Sequence, residues 1–217
     1  MGTAPSIIGV SGFMRTGKDS VASLLAGFDY TKLSFADPLR KMAKDIDPYI
    51  SIKDAHEDVL DLFHPLEAVL YSRLLNAIGY ERSKEIPDFR RFLQRLGTEG
   101  IRNNFGVNAW VDLAMKTIKG APEGTKFVLP DVRFPNEADA IHALGGAVWR
   151  TERPGYEGGT HPSEAMILEF EPDVILNTDS LLDHDGTKGL GTLVLEQLGE
   201  TLPQETLLEW ADAILNA

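Results

Sequence analysis

The chain has 217 residues, enough for one α/β domain with a full hydrophobic core. Its 33 acidic residues outnumber the 21 basic ones, and the formal net charge of -12 makes nucleic acid and anionic membranes poor partners. An anionic ligand would therefore need a local basic cluster. The sequence contains no cysteine, which excludes disulfide bonds and thiolate zinc sites. No signal peptide or membrane span is recognisable, and we expect a cytoplasmic protein.

The first predicted elements form a phosphate-binding loop. A short apolar strand ends at Val10, a glycine-bounded run extends from Gly12 to Lys18, and a helix follows from about Asp19 to Ala26. Such a loop turns backbone N–H groups around phosphate oxygens, while the helix N-terminus and the lysine add positive charge. The candidate phosphate-binding residues are Gly12, Arg15, Thr16, Gly17, Lys18, Asp19 and Ser20. Many such loops have a magnesium-binding hydroxyl at the position of Asp19, and here the hydroxyl comes one residue later, at Ser20.

The rest of the chain alternates predicted strands with predicted helices, which favours a parallel sheet with helices on both faces. Strands are predicted at 30–35, 126–131, 147–150 and 173–177, and helices at 54–78, 135–144, 190–198 and 204–215, with a further helix starting at Pro38. We expect the step His64-Pro65 to break or kink the region 54–78. Apolar residues recur there at helical spacing from Leu60 to Ile78, which is typical of a core or of a subunit contact in a homodimer.

A second constellation is a basic helix predicted over 89–102. At helical spacing, one of its faces would carry Arg91, Arg95, Thr98 and Arg102. In so acidic a chain, three arginines and a hydroxyl suit phosphate recognition, and the alternative is a solvated face with incidental salt bridges. Gly97 and Gly100 each cost about 1 kcal/mol relative to alanine inside a helix, which favours the close approach of a ligand or a neighbouring backbone.

Asn108 is a plausible helix cap, which places Trp110 and Asp112 in the opening turns of the next helix. The Trp110 indole could stack on a base or pack in the core, and Asp112 could accept a hydrogen bond from a sugar or a base.

Asp131 follows a predicted strand, where open parallel sheets place their ligands, and could hold magnesium through water or orient the attacking group. Arg133 could reach the same phosphates or pair with a neighbouring acid. Arg150 and Arg153 lead into the segment 152–164, whose glycine, proline and charge content is typical of a mobile lid.

In this order, the segments resemble the deoxynucleoside monophosphate kinases of tailed bacteriophages. The resemblance is carried by Gly12 to Ser20, Ser34 to Arg40, Leu93 to Glu99, Trp110 to Asp112, Asp131 to Glu137, His161 to Glu164 and Asp173 to Leu182. It implies a P-loop NTPase fold with a helical monophosphate-binding region and a lid. It also implies transfer of the ATP γ-phosphoryl group to a deoxynucleoside monophosphate (dNMP), with magnesium, to supply DNA synthesis. The partners would be these two small molecules, and a phage-encoded protein would act in the host cytoplasm.

The resemblance also implies residue roles. The catalytic residues would be Lys18, Arg91, Asp131, Arg133 and Arg150. Arg153 would join the loop residues in binding ATP, and Ser20 and Asp131 would bind Mg²⁺, partly through water. The dNMP would contact Phe35, Asp37, Leu39, Arg40, Arg91, Gly97, Thr98, Arg102, Trp110, Asp112, Asp131 and Phe134. We expect one kinase domain over 1–217, with a core at 1–37, 121–151 and 171–217, the monophosphate-binding region at 38–120 and the lid at 152–170.

Two alternatives stay open. A P-loop kinase for another small acceptor, such as dephospho-coenzyme A, has a similar last strand and following helix, although Gly97-Thr98 and Trp110 to Asp112 favour a nucleotide. A nucleotide-hydrolysing switch or motor acting on DNA would need a basic surface, against which the net charge argues. The Asn-Lys-x-Asp sequence of guanine-specific switches does not occur.

Overall fold

The computed structural model describes residues 4–156, 166–177, 179–183 and 188–200, together with 206, 208, 209 and 213 near the C-terminus. The chain divides into two compact units. We call Met1–Phe35 with Ala114–Ala217 the sheet unit, and Ala36–Leu113 the helical unit. The predicted single kinase domain, with its core, monophosphate-binding and lid subregions, remains a prediction, and its bounds differ from those of the two units. No helix within the described ranges has the length and hydropathy of a transmembrane span.

The elements follow one another in a mostly alternating order. They are β1 (Ile7–Gly12), α1 (Lys18–Ala26), β2 (Tyr30–Lys32), α2 (Asp37–Ile46), β3 (Tyr49–Ser51), α3 (Glu57–Phe63), β4 (Ala68–Leu70), α4 (Tyr71–Ser83), α5 (Pro87–Gln94), a π-helical segment (Arg95–Arg102), α6 (Asn103–Phe105), α7 (Ala109–Lys119), β5 (Lys126–Leu129), α8 (Pro135–His142), β6 (Ala147–Glu152), a 3₁₀ helix (Met166–Glu169), β7 (Val174–Asn177) and α9 (Leu190–Leu198).

The sheet unit is built on five strands in the order β2-β5-β1-β6-β7, and all four strand pairs are parallel. β1 lies in the middle, with Ile8 opposite Val128 of β5 and opposite Ala147 of β6. All six residues of β1 are buried, which explains why its first four residues form a continuous apolar run rather than an alternating pattern. The predicted parallel sheet flanked by helices is confirmed.

Helices α1 and α9 cover one face of this sheet. Val21 and Leu25 of α1 pack with Leu190 and Val194 of α9 in a core that also contains Trp149 of β6. The bounds predicted for α9 are confirmed, and those for α1 are confirmed to within one residue.

The helical unit contains α2 to α6, the π-helical segment and a two-stranded antiparallel sheet of β3 and β4. Its core is aromatic: the rings of Tyr71 and Phe89 stack with their centroids 4.8 Å apart, and Phe92 meets Tyr71 edge to face. Such ring pairs stabilise a core beyond the area that they bury.

The helix predicted over 54–78 is wrong in its middle part. The segment Ala68–Leu70 forms β4 and pairs with β3, so that Val69 lies opposite Ile50 and both are buried. The helices α3 and α4 lie on either side of it, and Phe63 and Leu74 from the predicted stripe belong to the core of the helical unit. The homodimer that this stripe suggested remains a prediction.

Two predictions fall largely outside the described residues. The lid predicted over 152–164 is described only up to Tyr156, and His161 to Glu164 are not described. Of the C-terminal helix predicted over 204–215, the four described residues are helical.

Candidate functional site

In the turn between β1 and α1, which we call the phosphate loop (Gly12–Lys18), residues with positive φ angles alternate with residues with negative φ angles. The φ angles are 136° at Gly12, 68° at Arg15 and 99° at Gly17. A Cβ at Gly12 would lie 2.5 Å from the carbonyl oxygen of Thr151, so only glycine fits there. Alternation of this kind turns successive N–H groups to one side and forms an anion-binding concavity at the start of α1.

The carbonyl oxygen of Phe13 is the internal acceptor of the phosphate loop. It lies 3.4 Å from the backbone nitrogen of Thr16, 2.8 Å from Thr16 Oγ1 and 2.5 Å from Lys18 Nζ. The Lys18 ammonium therefore lies folded back over the loop that it is predicted to serve. Thr16 is buried, and its hydroxyl is also 2.7 Å from the hydroxyl of Thr151 on β6. The Thr16 side chain thus binds protein groups within the sheet unit.

The segment after β5 places Asp131 beside β1, because the backbone N–H of Val132 donates to the carbonyl oxygen of Val10 at 3.3 Å. Both carboxylate oxygens of Asp131 bind the segment after β2: Oδ1 accepts the backbone N–H of Phe35 at 3.1 Å, and Oδ2 accepts the hydroxyl of Ser34. The predicted residues Asp131 and Phe35 are therefore neighbours. Ser34 belongs to a segment that carries the resemblance, but no sequence pattern indicated a role for its hydroxyl.

A buried carboxylate holds the turn that follows Asp131. Glu137 accepts the backbone N–H groups of Arg133 and Phe134 at 2.7 and 3.1 Å, at the N-terminus of α8. A carboxylate in this place is stabilised by the orphan N–H groups of the helix. The Arg133 side chain itself is exposed.

A cavity of about 220 Å³ opens next to the phosphate loop within the sheet unit. Its lining joins predicted nucleotide-binding residues with a segment after β7: Arg15, Thr16, Gly17, Ser20, Arg153, Asp179, Ser180, Leu181 and Leu190. Sequence reasoning missed the last four as site residues. The signal that could have found them is the resemblance of the run Asp173 to Leu182, to which three of them belong.

Arg150 lies in β6 and is 8% exposed. Its guanidinium donates to the carbonyl oxygen of Ile167 at 2.7 Å and to that of Phe170, and it stacks 5.5 Å from the centroid of the Phe170 ring. Arg150 thus holds the segment around the 3₁₀ helix against the sheet, and its catalytic role stays a prediction. Asp19 is exposed, and its predicted role in binding ATP also stays a prediction.

In the helical unit, the chain continues from α5 into the π-helical segment, so the prediction of one α-helix over 89–102 is wrong beyond Gln94. The change of helical period separates the residues predicted to share a face. Arg91 and Arg95 line a groove of about 510 Å³ together with Tyr49, whereas Arg102 does not line it and is half-buried. π-Helical turns are rare and occur frequently at functional sites.

Both groove arginines are paired with acids one turn away. Arg91 binds Asp88, and Arg95 Nε lies 3.2 Å from Glu99 Oε2. All four side chains except Asp88 are well exposed, so these pairs are weak and can exchange for an anionic ligand.

Gly97 and Trp110 meet within the helical unit. The Trp110 indole is 4% exposed, and its Nε1 donates to the carbonyl oxygen of Gly97 at 3.0 Å. A Cβ on Gly97 would lie 3.3 Å from Leu39 Cδ2, so the close approach that this glycine permits is to a neighbouring side chain. Three predicted acceptor residues therefore lie together, while Thr98 and Asp112 are exposed.

Arg40 and Asp37, which were both predicted to contact the dNMP, form an ion pair, with Arg40 Nη1 2.7 Å from Asp37 Oδ1. The Arg40 guanidinium also lies 5.2 Å from the centroid of the Tyr80 ring, a cation–π contact that orients the side chain.

Residues 83–187 match the model of a family described as deoxynucleotide monophosphate kinase. A protein of Acanthamoeba polyphaga mimivirus named "Putative deoxynucleotide monophosphate kinase" is 30% identical over 202 residues, which cover 82% of this chain and 90% of that protein. The chain belongs to the deoxynucleotide monophosphate kinase family. It is accordingly a phosphotransferase, as the resemblance implied. The deoxynucleotide monophosphate kinase of Enterobacteria phage T4 is 35% identical over 107 residues, 48% of this chain and 44% of that protein.

Two solved structures align with this family member at low similarity. One is TT1252 from Thermus thermophilus, with a TM-score of 0.41, 16% identity and coverage of 95% of this chain and 98% of the other. The other is dephospho-CoA kinase from Campylobacter jejuni, with a TM-score of 0.40, 13% identity and coverage of 89% and 96%.

Proposed function

We propose that the protein transfers the γ-phosphoryl group of ATP to a deoxynucleoside monophosphate and yields a deoxynucleoside diphosphate and ADP for DNA synthesis. Family membership supports the reaction class. The observation that carries the proposal is the phosphate loop, whose left-handed turns lead into α1 at Lys18 while Asp131 is held beside the same strand.

The donor side of the reaction uses the sheet unit. The N–H groups of the phosphate loop and the N-terminus of α1 bind the phosphates of ATP. Lys18 exchanges the Phe13 carbonyl for a phosphate oxygen, since an ammonium binds a charged acceptor more strongly than a neutral one. The cavity lined by Arg15, Arg153 and Ser180 accommodates the nucleoside part of ATP.

The acceptor side uses the helical unit. The groove lined by Arg91, Arg95 and Tyr49 is large enough for a mononucleotide. In it, the two arginines exchange their ion pairs with Asp88 and Glu99 for contacts with the phosphate of the dNMP. Arg40 and the predicted contacts Gly97, Thr98 and Trp110 complete the proposed acceptor set.

In the transfer step, an oxygen of the acceptor phosphate forms a bond to the γ-phosphorus of ATP. The bond between that phosphorus and the β–γ bridging oxygen breaks, and its electron pair leaves with ADP. Positioning and charge neutralisation by Lys18 and the arginines supply the catalysis, because no side chain needs to form a covalent bond.

Magnesium fits the residues present. The Ser20 hydroxyl and the Asp131 carboxylate are hard oxygen donors, and among the described residues no group of three or more His, Asp or Glu could form a complete cage. Mg²⁺ commonly binds one or two protein oxygens together with substrate phosphates and water. When bound, it would neutralise charge on the phosphates.

A coupled assay that detects ADP, run with each of the four dNMPs, ATP and Mg²⁺, tests the proposal. We expect turnover with at least one dNMP and a loss of at least about 100-fold in kcat for Lys18→Ala, because the lysine stabilises charge in the transition state. Lys119→Ala removes the same charge from the C-terminal end of α7 and should leave turnover unchanged.

No turnover with any of the four acceptors would refute the proposed reaction. Normal activity of folded Lys18→Ala would refute the assigned role of the lysine while leaving the reaction standing.

A further inference from the structure

Thr151 on β6 contacts the phosphate loop through a buried hydroxyl. Thr151 is 1% exposed and lies opposite Gly12 in the parallel pairing of β6 with β1. Its Oγ1 is 2.7 Å from Thr16 Oγ1 and 3.2 Å from the carbonyl oxygen of Ser11. One side chain therefore reaches both the strand that enters the loop and the middle of the loop.

Each of the two hydroxyls has one hydrogen, and the hydrogen bond between them can run in either direction. In the first arrangement, Thr16 donates to the Phe13 carbonyl and Thr151 donates to Thr16. In the second, Thr16 donates to Thr151, which donates to the carbonyl oxygen of Ser11. Each hydroxyl donates once in either arrangement, so no buried donor is lost when the direction changes.

The choice between these arrangements is coupled to Lys18. The ammonium of Lys18 lies 2.5 Å from the Phe13 carbonyl, the acceptor that Thr16 uses in the first arrangement. When Lys18 moves to a phosphate oxygen, the Phe13 carbonyl loses its strongest donor. The Thr16 hydroxyl, which already lies 2.8 Å from this oxygen, then remains its side-chain donor while Thr151 keeps Thr16 in place.

The pair is also packed closely against the start of the loop. A Cβ at Gly12 would lie 2.5 Å from both Thr151 O and Thr151 Oγ1 and 2.8 Å from Thr16 Oγ1. The backbone of Gly12 therefore lies close against the two hydroxyls, and we expect a change in either side chain to shift the loop.

We propose that Thr151 is a positioning residue for the phosphate loop, which acts through the hydroxyl of Thr16 to keep the loop in its binding shape when Lys18 leaves the Phe13 carbonyl for a phosphate. Thr16 is then a positioning residue too, rather than a ligand of ATP through its side chain. The inference rests on the proposed function, because it assumes that the loop binds the phosphates of ATP.

The test compares Thr151→Val and Thr16→Val with Thr151→Ser, which keeps the hydroxyl, and with Thr31→Val as a matched control. Thr31 is an exposed residue of the edge strand β2. Amide hydrogen exchange of residues 13–18 without nucleotide measures the shape of the loop. Calorimetric titration with ATP and, separately, with a dNMP measures binding.

We expect Thr151→Val to speed exchange of the loop amides and to weaken ATP binding by about tenfold, with dNMP binding unchanged. Thr151→Ser should restore ATP binding to within about twofold of the native protein, and Thr31→Val should match the native protein in both measurements. The double variant Thr16→Val/Thr151→Val should bind ATP no more weakly than the worse single variant, because both remove the same interaction.

Native ATP affinity and native loop exchange in Thr151→Val would overturn the inference and leave the proposed function intact. Exchange that rises equally throughout the sheet unit would overturn it too, because it would reveal a purely structural role. Failure of the native protein to bind ATP would overturn the donor half of the proposed function and this inference with it.

Discussion

The hydroxyl of Ser34 donates a hydrogen bond to the carboxylate of Asp131 and so joins the segment after β2 to the end of β5, its neighbour in the sheet. The backbone N–H of Phe35 binds the other oxygen of the same carboxylate. The plane and direction of the Asp131 carboxylate are therefore fixed by protein groups, which its proposed role at the phosphates of ATP requires.

We expect Ser34→Ala to fold normally and to lower kcat by about tenfold or more, because hydrogen bonds to charged groups contribute about 1.5–3 kcal/mol. Steady-state kinetics over a range of ATP and dNMP concentrations measure the effect. Ser23→Ala, which removes a hydroxyl that binds Lys32 on the surface of the sheet unit, is the matched control. An unchanged kcat in folded Ser34→Ala would show that Asp131 needs no such support.

Trp110→Phe removes the hydrogen bond from Nε1 to the carbonyl oxygen of Gly97 while keeping a buried ring. We expect the KM for the dNMP to rise by about fivefold and the KM for ATP to stay constant, because the contact orders the π-helical segment on the proposed acceptor side. Trp149→Phe, in the core of the sheet unit, is the control for loss of an indole. Equal increases in both KM values would contradict the assignment of this segment to the acceptor.

Tyr71 has a buried hydroxyl that finds no hydrogen-bond partner among the described residues. Burial raises its pKa to about 12, and the nearby Tyr80 adds to the shift while Arg40 opposes it. We expect Tyr71→Phe to be as stable as the native protein or more stable by up to about 1 kcal/mol, since no hydrogen bond is lost. Tyr71→Ala should lose about 3–5 kcal/mol, because it opens a cavity beside Phe89.

Urea unfolding followed by circular dichroism measures both Tyr71 variants. A loss of more than about 1 kcal/mol in Tyr71→Phe would reveal a hydrogen bond to the hydroxyl.

The stability of the protein should fall in acid partly through Asp173. Burial raises the pKa of this carboxyl, but hydrogen bonds from the Val148 N–H and from His142 outweigh burial and lower it below the ordinary value of 3.8. A carboxyl with a lowered folded pKa stabilises the folded state above about pH 4, and this contribution disappears as the pH falls through the folded pKa.

Asp173→Asn should therefore be less stable than the native protein at pH 7, and the difference should shrink at pH 3. Urea unfolding at the two pH values measures this, with Asp139→Asn on α8 as the control for removal of a surface charge. A stability difference that is the same at both pH values would contradict the predicted linkage.

The phosphate loop could be predicted from the sequence because all its signals are contiguous. A buried strand, the glycines at 12 and 17, and the lysine that begins α1 lie within a dozen residues, and each acts through local backbone geometry. The bounds of α9 could be predicted from equally local signals, because Gly189 lies immediately before the helix and Gly199 immediately after it.

The two-stranded sheet of β3 and β4 and the π-helical segment could not be predicted in this way. The residues of β4 fit the helical spacing of the apolar positions around them, and their pairing with β3 is a tertiary contact that overrides that pattern. A π-helical turn shifts the register by one residue, and nothing in the spacing of the arginines along the chain indicates that shift.

The supporting contacts of the candidate site could not be predicted because they join distant parts of the chain. Thr16 and Thr151 are 135 residues apart, and Ser34 and Asp131 are 97 apart. Nothing in the sequence around a threonine or a serine indicates which distant group its hydroxyl will bind. The resemblance to phage kinases marked the segment of Ser34 but could not say which group its hydroxyl binds.

The strand order of the sheet also sets the order in which the protein can fold as it is synthesised. β1 and β2 are made first but do not pair, because β5, which emerges some 95 residues after β2, lies between them. The helical unit is complete before β5 exists and can begin to fold on its own contacts. A nascent chain therefore carries the largely apolar β1 unprotected until residue 129 has left the ribosome, the period in which a chaperone would have most to cover.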